Sequence, residues 1–163
     1  MRIKETIKSQ YFSTLEMLRQ VILECPDHLW TSTEYSNPFW NTAFHVLFYT
    51  HLYLQPREKD FVPWEKHKHE YVSLGASEER EGGGEPYSKE DLLAYLGLVL
   101  EQVEEQVDQL DLEGESGFYW LPFDKLELQF YNIRHVQQHT GELSERLGSQ
   151  GDYEVRWVGM KPG

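Results

Sequence analysis

Apolar residues recur along this chain at steps of three and four, the spacing that places side chains on one face of a helix. Ile7, Tyr11, Leu15, Leu18 and Ile22 form such a stripe, which predicts a helix from about Lys4 to about Glu24, stopped by Pro26. A second segment opens at Asn37-Pro38. Asn is a preferred N-cap, and Pro fits the first helical position because its missing N–H has no partner to lose there. The residues after it, Phe39 to Tyr49, are apolar nearly all round, which predicts a helix buried on several sides and ended by Pro56. A third helix is expected to open at Ser88, with Asp91 three residues on as a weak capping box. Leu92, Leu93, Leu96, Val99, Leu100, Val103, Val107 and Leu110 form its buried face, and Glu101, Glu104, Glu105 and Asp108 its wet one. The fourth opens at Asp124, with Glu127 three positions later, and runs to about Leu147, where Gly148 is a natural stop.

The expected fold is therefore all-α, a four-helix bundle forming one domain over residues 1–163. The connection 57–87, between the second and third helices, is unusually long. It carries two prolines, the acidic run Glu78-Glu79-Arg80-Glu81 and Gly82-Gly83-Gly84. A link of this length is expected to act as a lid or mobile segment. It also allows the helices it joins to be parallel or non-neighbours, where a short turn would force an antiparallel pair. The tail, 149–163, alternates apolar and polar residues from Tyr153 to Val158, a pattern that fits extended chain.

Composition narrows the picture further. The 163 residues include five Trp, ten Tyr and eight Phe, far too many for a disordered chain. The 15 Lys and Arg against 28 Asp and Glu give a net charge of −13. That balance disfavours nucleic acid and anionic membranes, both of which are bound through Lys and Arg. The single cysteine, Cys25, excludes an internal disulfide. No apolar run suggests a signal peptide or a membrane span, so a cytoplasmic protein is expected.

The candidate chemistry lies on the fourth helix, in Arg134-His135-Val136-Gln137-Gln138-His139. Two His four apart stack on one face and can reach one metal ion. The spacing by itself is a weak signal, since seven scattered His give about 0.3 such pairs by chance, and no Glu follows the first His as in zinc proteases. The faces sharpen it. At about 100° per residue, Leu128, Tyr131, His135, His139 and Glu142 share one stripe, and its apolar members mark it as inward. Two inward imidazoles need partners. The second helix offers His45, on a stripe with Asn41, Phe48, Tyr49 and Leu52, while His51 falls on another side. Taken alone, His45 reads as a core histidine bonded to a carbonyl. Together with His135 and His139 it completes a three-His metal site.

Pro38-Phe39-Trp40 with Ala43-Phe44-His45, followed by Tyr131-Asn132-Ile133-Arg134-His135-Val136-Gln137-Gln138-His139-Thr140-Gly141-Glu142-Leu143, resembles the DinB-like metalloenzyme family. The resemblance spans about residues 4 to 147 and is most specific on the fourth helix. It implies a four-helix bundle with a long middle link, and one nickel or zinc ion held by His45, His135 and His139. It also implies, in many members, a homodimer. Among its characterised members are S-transferases and an isomerase that use a low-molecular-weight thiol.

Three neutral imidazoles leave the metal's charge uncancelled and a coordination position open, where a water or a thiol can be ionised. The expected activity is thus a metal-dependent transferase or hydrolase acting on a small molecule. The alternatives are a metal-stabilised binding or stress-associated module without turnover, and a helical interaction protein with core His and no metal. Glu142, one turn past His139, is a candidate for orienting an imidazole or acting as a base, against a solvated carboxylate at the bundle end. Tyr49 and Tyr131 are candidate donors to an oxyanion, with core packing as their ordinary use. Phe118 to Phe123 could line a pocket mouth or form a hydrophobic plug. His67 and His69, flanked by lysines, are expected at a solvated surface. Cys25 has no basic neighbours to activate it.

Overall fold

The computed structural model describes residues 2–75, 85–151 and 153–162. The expected acidic and glycine runs, 78–81 and 82–84, lie outside them. Among the described residues the regular structure is helical: α1 (Arg2–Glu24), the single turn α2 (Asp27–Trp30), α3 (Phe39–Tyr53), α4 (Lys89–Gln109) and α5 (Lys125–Gly148). The chain is a helical bundle, and among the described residues a single antiparallel bridge, Glu115 with Asp124, is the nearest thing to a strand. No described helix is long and apolar enough to cross a membrane.

Local chemistry accounts for the helix starts. The Ser88 side chain accepts from the Asp91 amide, and the Asp124 side chain accepts from the Glu127 amide, capping α4 and α5 as their sequences predict. The start of α3 departs from expectation. Asn37 does not cap it; its Oδ1 accepts instead from the Gly75 amide at 2.7 Å. The extended Pro38 takes the cap position, and its carbonyl accepts from the Asn41 and Thr42 amides. Gly148 ends α5 as its last helical residue, and the positive φ falls later, at Gly151.

The four long helices form a ring in which α1 and α3 each pack on both α4 and α5. Side-chain pairs fix their directions. Tyr11 meets Gln129 and Thr14 meets Gln137, so α1 and α5 run parallel. Lys8 meets Asp108, near the far end of α4, so α1 and α4 are antiparallel. On the other side, Phe44 packs on Tyr95 and Gln55 bonds Gln102, so α3 and α4 are parallel neighbours. The link between them must return the chain to its starting end, which is why it is long.

That link is built into the core where it is described. Trp64 is buried and stacks on Tyr95 with ring centroids 4.5 Å apart, and Tyr71, Val72 and Tyr87 are buried beside it. Its bounds are 54–88, wider than the sequence suggested, because the last turn of α3 ends at Tyr53 ahead of Pro56. The tail runs beside α1 without forming a strand. Gln20 bonds both the N–H and the carbonyl of Arg156, and Ser9 accepts from the Lys161 amide.

The core itself is contributed by all four helices. Leu15, Leu18, Phe44, Leu47, Leu92, Leu96 and Leu128 are fully buried, each a gain of about 1.5–3 kcal/mol from removing apolar surface from water. Through it runs a polar chain. The Tyr11 hydroxyl donates to Gln129 and accepts from Asn132, which also donates to the Thr50 carbonyl. This chain ties α1, α3 and α5 in one register and so sets the height of His135 and His139 against His45.

Candidate metal centre

His45 stands at the middle of α3, and His135 and His139 face it from α5. The rings converge: centroids lie 5.0 Å apart for His45 and His135, 5.1 Å for His45 and His139, and 4.8 Å for His135 and His139. One nitrogen from each lies within 4.8 Å of the others, and this is a group able to hold a metal ion among the described residues.

Hydrogen bonds decide which nitrogens face inward. His45 Nδ1–H donates to the Val72 carbonyl at 2.7 Å. With the proton on Nδ1, Nε2 carries the lone pair, and it lies 3.1 Å from His135 Nε2. His139 Nδ1–H donates to Glu142 Oε2 at 3.0 Å, so its Nε2 lone pair also turns inward. His135 Nδ1 is buried with no hydrogen-bond partner among the described residues, and only the His45 Nε2 lone pair, facing its Nε2, bears on its tautomer. Burial, with His45 and His139 alongside, pushes His135 down to about 3, so the ring is neutral near pH 7.

The donor set fits a divalent transition ion. Two nitrogens on one tetrahedral metal at 2.0–2.1 Å sit about 3.4 Å apart, close to the Nε2 pair found here. Lone pairs facing one another across 3.1 Å require a cation, or a proton on His135, between them. Imidazoles whose outer N–H groups are held by a carbonyl and a carboxylate are the usual arrangement of metal-ligating His.

The remaining candidates divide. Glu142 is no free carboxylate at the bundle end, because it bridges His139 and Arg146. The Tyr49 ring lies 4.9 Å from His45 and 5.9 Å from His135, and burial, then Tyr131, raises its hydroxyl pKa. Tyr131 packs on Tyr53 and Phe123 with the Arg134 guanidinium over its ring. In the 118–123 segment, Phe118 is a buried plug against Tyr53, while Tyr119 is exposed and Trp120 partly so, its indole N–H donating to the Tyr53 hydroxyl.

His51 lies apart from the cluster, buried, with Nδ1 3.2 Å from the Tyr95 hydroxyl. His69 is exposed, as expected, but His67 is not at a solvated surface. It is half-buried and stacks on Phe48 at 5.3 Å, and desolvation lowers its pKa. Cys25 is buried, and desolvation pushes its thiol up to about 12.

Two concave surfaces lie away from the three clustered histidines. The larger, about 1190 Å³, is lined by residues 56–59, 109–111, 113–119 and 121–125, at the end where α5 begins. Along a helix rising 1.5 Å per residue, its Lys125 is about 15 Å from His135. The smaller, about 490 Å³, lies between α3 and α4 and takes in His51 and Trp64.

Two residues in this neighbourhood, Val72 and Arg146, were not singled out from the sequence. Val72 contributes only a backbone carbonyl, which no residue type advertises. Arg146, in contrast, has a visible signal: it lies four residues past Glu142 on one helix face, the spacing of an ion pair.

Fold and site together define a helical-bundle protein with a three-histidine cluster able to hold a metal ion. Compared with family models, with curated proteins and with solved structures, the chain has no significant match.

Proposed function

We propose that this chain is a DinB-like metalloprotein that binds one divalent ion, nickel or zinc, through His45, His135 and His139. In this reading it acts as a metal-dependent transferase or hydrolase on a small electrophilic substrate. The observation that carries the reading is the pair of Nε2 atoms 3.1 Å apart, with His45 held in its tautomer by the Val72 carbonyl. When bound, such an ion supplies Lewis acidity that lowers the pKa of a water to about 7 or ionises a thiol.

The protein's own groups do the rest. His45 and His139 are oriented by their outer hydrogen bonds, each with Nδ1 turned outward and Nε2 inward. The cluster is made of three His, so one tetrahedral position is left for a low-molecular-weight thiol or a water. Tyr49, packed beside two of the rings and with its hydroxyl pKa raised by burial, can donate to negative charge developing on a substrate.

The test is a panel of small thiols, and water alone, offered with a generic electrophile to metal-loaded protein. Turnover that disappears in His135→Ala supports the reading. A metal-bound protein inert to the whole panel favours the second reading, a metal-stabilised binding module. That alternative draws on the two described cavities, neither of which includes any of the three histidines among its lining residues.

A further inference from the structure

The three-histidine cluster is held from outside at two points, and both lead to Asn37. On one side His45 donates to the Val72 carbonyl, and three residues on, the Gly75 amide donates to Asn37 Oδ1. On the other, His139 donates to Glu142 Oε2, and Arg146 Nη2 donates to Glu142 Oε1. Arg146 Nη1 donates in turn to the Asn37 carbonyl at 2.8 Å.

Arg146 is 7% exposed, an unusual place for a cation. Its guanidinium lies over the Tyr35 ring at 4.4 Å, so the head group is clamped on its face as well as its edge. Glu142, by contrast, is 39% exposed at its side chain. Without a second hold it would swing into water and leave His139 Nδ1 without its acceptor. Only a planar fork can reach a carboxylate and a carbonyl at once while stacked on a ring.

From this geometry we infer that Arg146 is a positioning residue for metal binding. It fixes Glu142, which fixes the His139 ring, with Asn37 as the anchor shared by both sides of the site. The inference rests on the three-histidine reading above and adds to it the group that sets how tightly the ion is held.

The test measures zinc affinity of the full chain by competition with a chromophoric chelator, beside thermal unfolding of the metal-free protein. Arg146→Met is expected to weaken zinc binding about tenfold or more, the usual cost of losing an outer partner of a metal-bound His. Arg146→Lys, which keeps the charge but not the fork, is expected to recover part of that loss and guards against a misfolded Met variant. Because the two residues act through one contact, Glu142→Ala combined with Arg146→Met should bind zinc no more weakly than Glu142→Ala alone.

A merely structural Arg146 would lower the unfolding temperature and leave affinity within twofold of the original, and that result overturns the inference. So does an additive double variant. If the unaltered chain itself fails to bind zinc, the three-histidine reading falls and this inference with it. If it binds and the Arg146 variants match it, only this inference falls.

Discussion

His45 and His135 present Nε2 to Nε2 at 3.1 Å across the α3–α5 interface, and His45 has already spent its one proton on the Val72 carbonyl. Such an arrangement is costly in an empty protein. Without an ion, His135 must supply the proton between the two Nε2 atoms, and its Nδ1 is then left buried without a hydrogen-bond partner among the described residues. A buried polar group without a partner costs about 1–3 kcal/mol. The cluster is therefore a place where stability has been given up, which is where function is to be sought.

The first prediction follows from that cost. His135→Leu should stabilise the metal-free protein by about 1–3 kcal/mol, a rise of a few degrees in Tm at this chain length. The same variant should lose the stabilisation that metal gives, about 4 kcal/mol at a thousandfold excess over Kd. Thermal scans with and without zinc check both parts. A metal-free variant less stable than the original would mean that the histidines pack well on their own.

The buried polar chain supplies the second. Tyr11→Phe removes the hydroxyl that joins Gln129 to Asn132, which takes the donor from Gln129 Oε1 and leaves the Asn132 amide only the Thr50 carbonyl. The expected cost is about 1–3 kcal/mol in urea unfolding, with metal stoichiometry unchanged. A cost near zero would show that the two amides find other partners.

A third concerns pH. Burial lowers His51 to about 4, below its ordinary value of about 6.5. Between those values the unfolded chain carries a proton here that the folded chain does not. Stability is thus full above about pH 6.5 and falls as the solution is acidified toward pH 4, by at most about 1.4 kcal/mol per pH unit from this ring. His135, lowered to about 3, adds to the slope in the metal-free protein. Urea titrations from pH 7 to 4 should show a shallower decline for His51→Gln. An unchanged slope would place the titration elsewhere.

The fourth tests the loop before α5. Gly117 has a φ of +87°, and a Cβ there would meet the Pro56 carbonyl oxygen at 2.1 Å. Gly117→Ala must move backbone on both sides of that contact, and a loss above about 1 kcal/mol is expected by chemical denaturation. A silent substitution would mean that the 56–57 and 116–118 segments separate at little cost.

Much of this architecture is written in local pattern. The α1 stripe from Ile7 to Ile22, the Ser88 and Asp124 caps and the inward face of α5 all follow from spacing along one helix. So does the pairing of His135 with His139. His45 needed a further step, because an apolar helix buried all round does not say which face meets which neighbour.

What pattern could not supply is non-local. Asn37 looks like a cap because Asn before Pro usually is one, yet the Gly75 amide, 38 positions away, competes for its side chain and wins. His67, between two lysines, reads as surface until Phe48 is found beneath it. The Val72 carbonyl that sets the His45 tautomer carries no sequence signal at all, since every residue has a backbone carbonyl to offer.

The central claim, that three imidazoles form one metal site, is tested most directly by titrating metal-free protein with zinc and with nickel. The original chain should take up one ion per chain, and His45→Ala, His135→Ala and His139→Ala should each abolish that tight uptake while remaining folded. Uptake by the original chain that persists undiminished in the His45 variant, or no uptake at all, would contradict it.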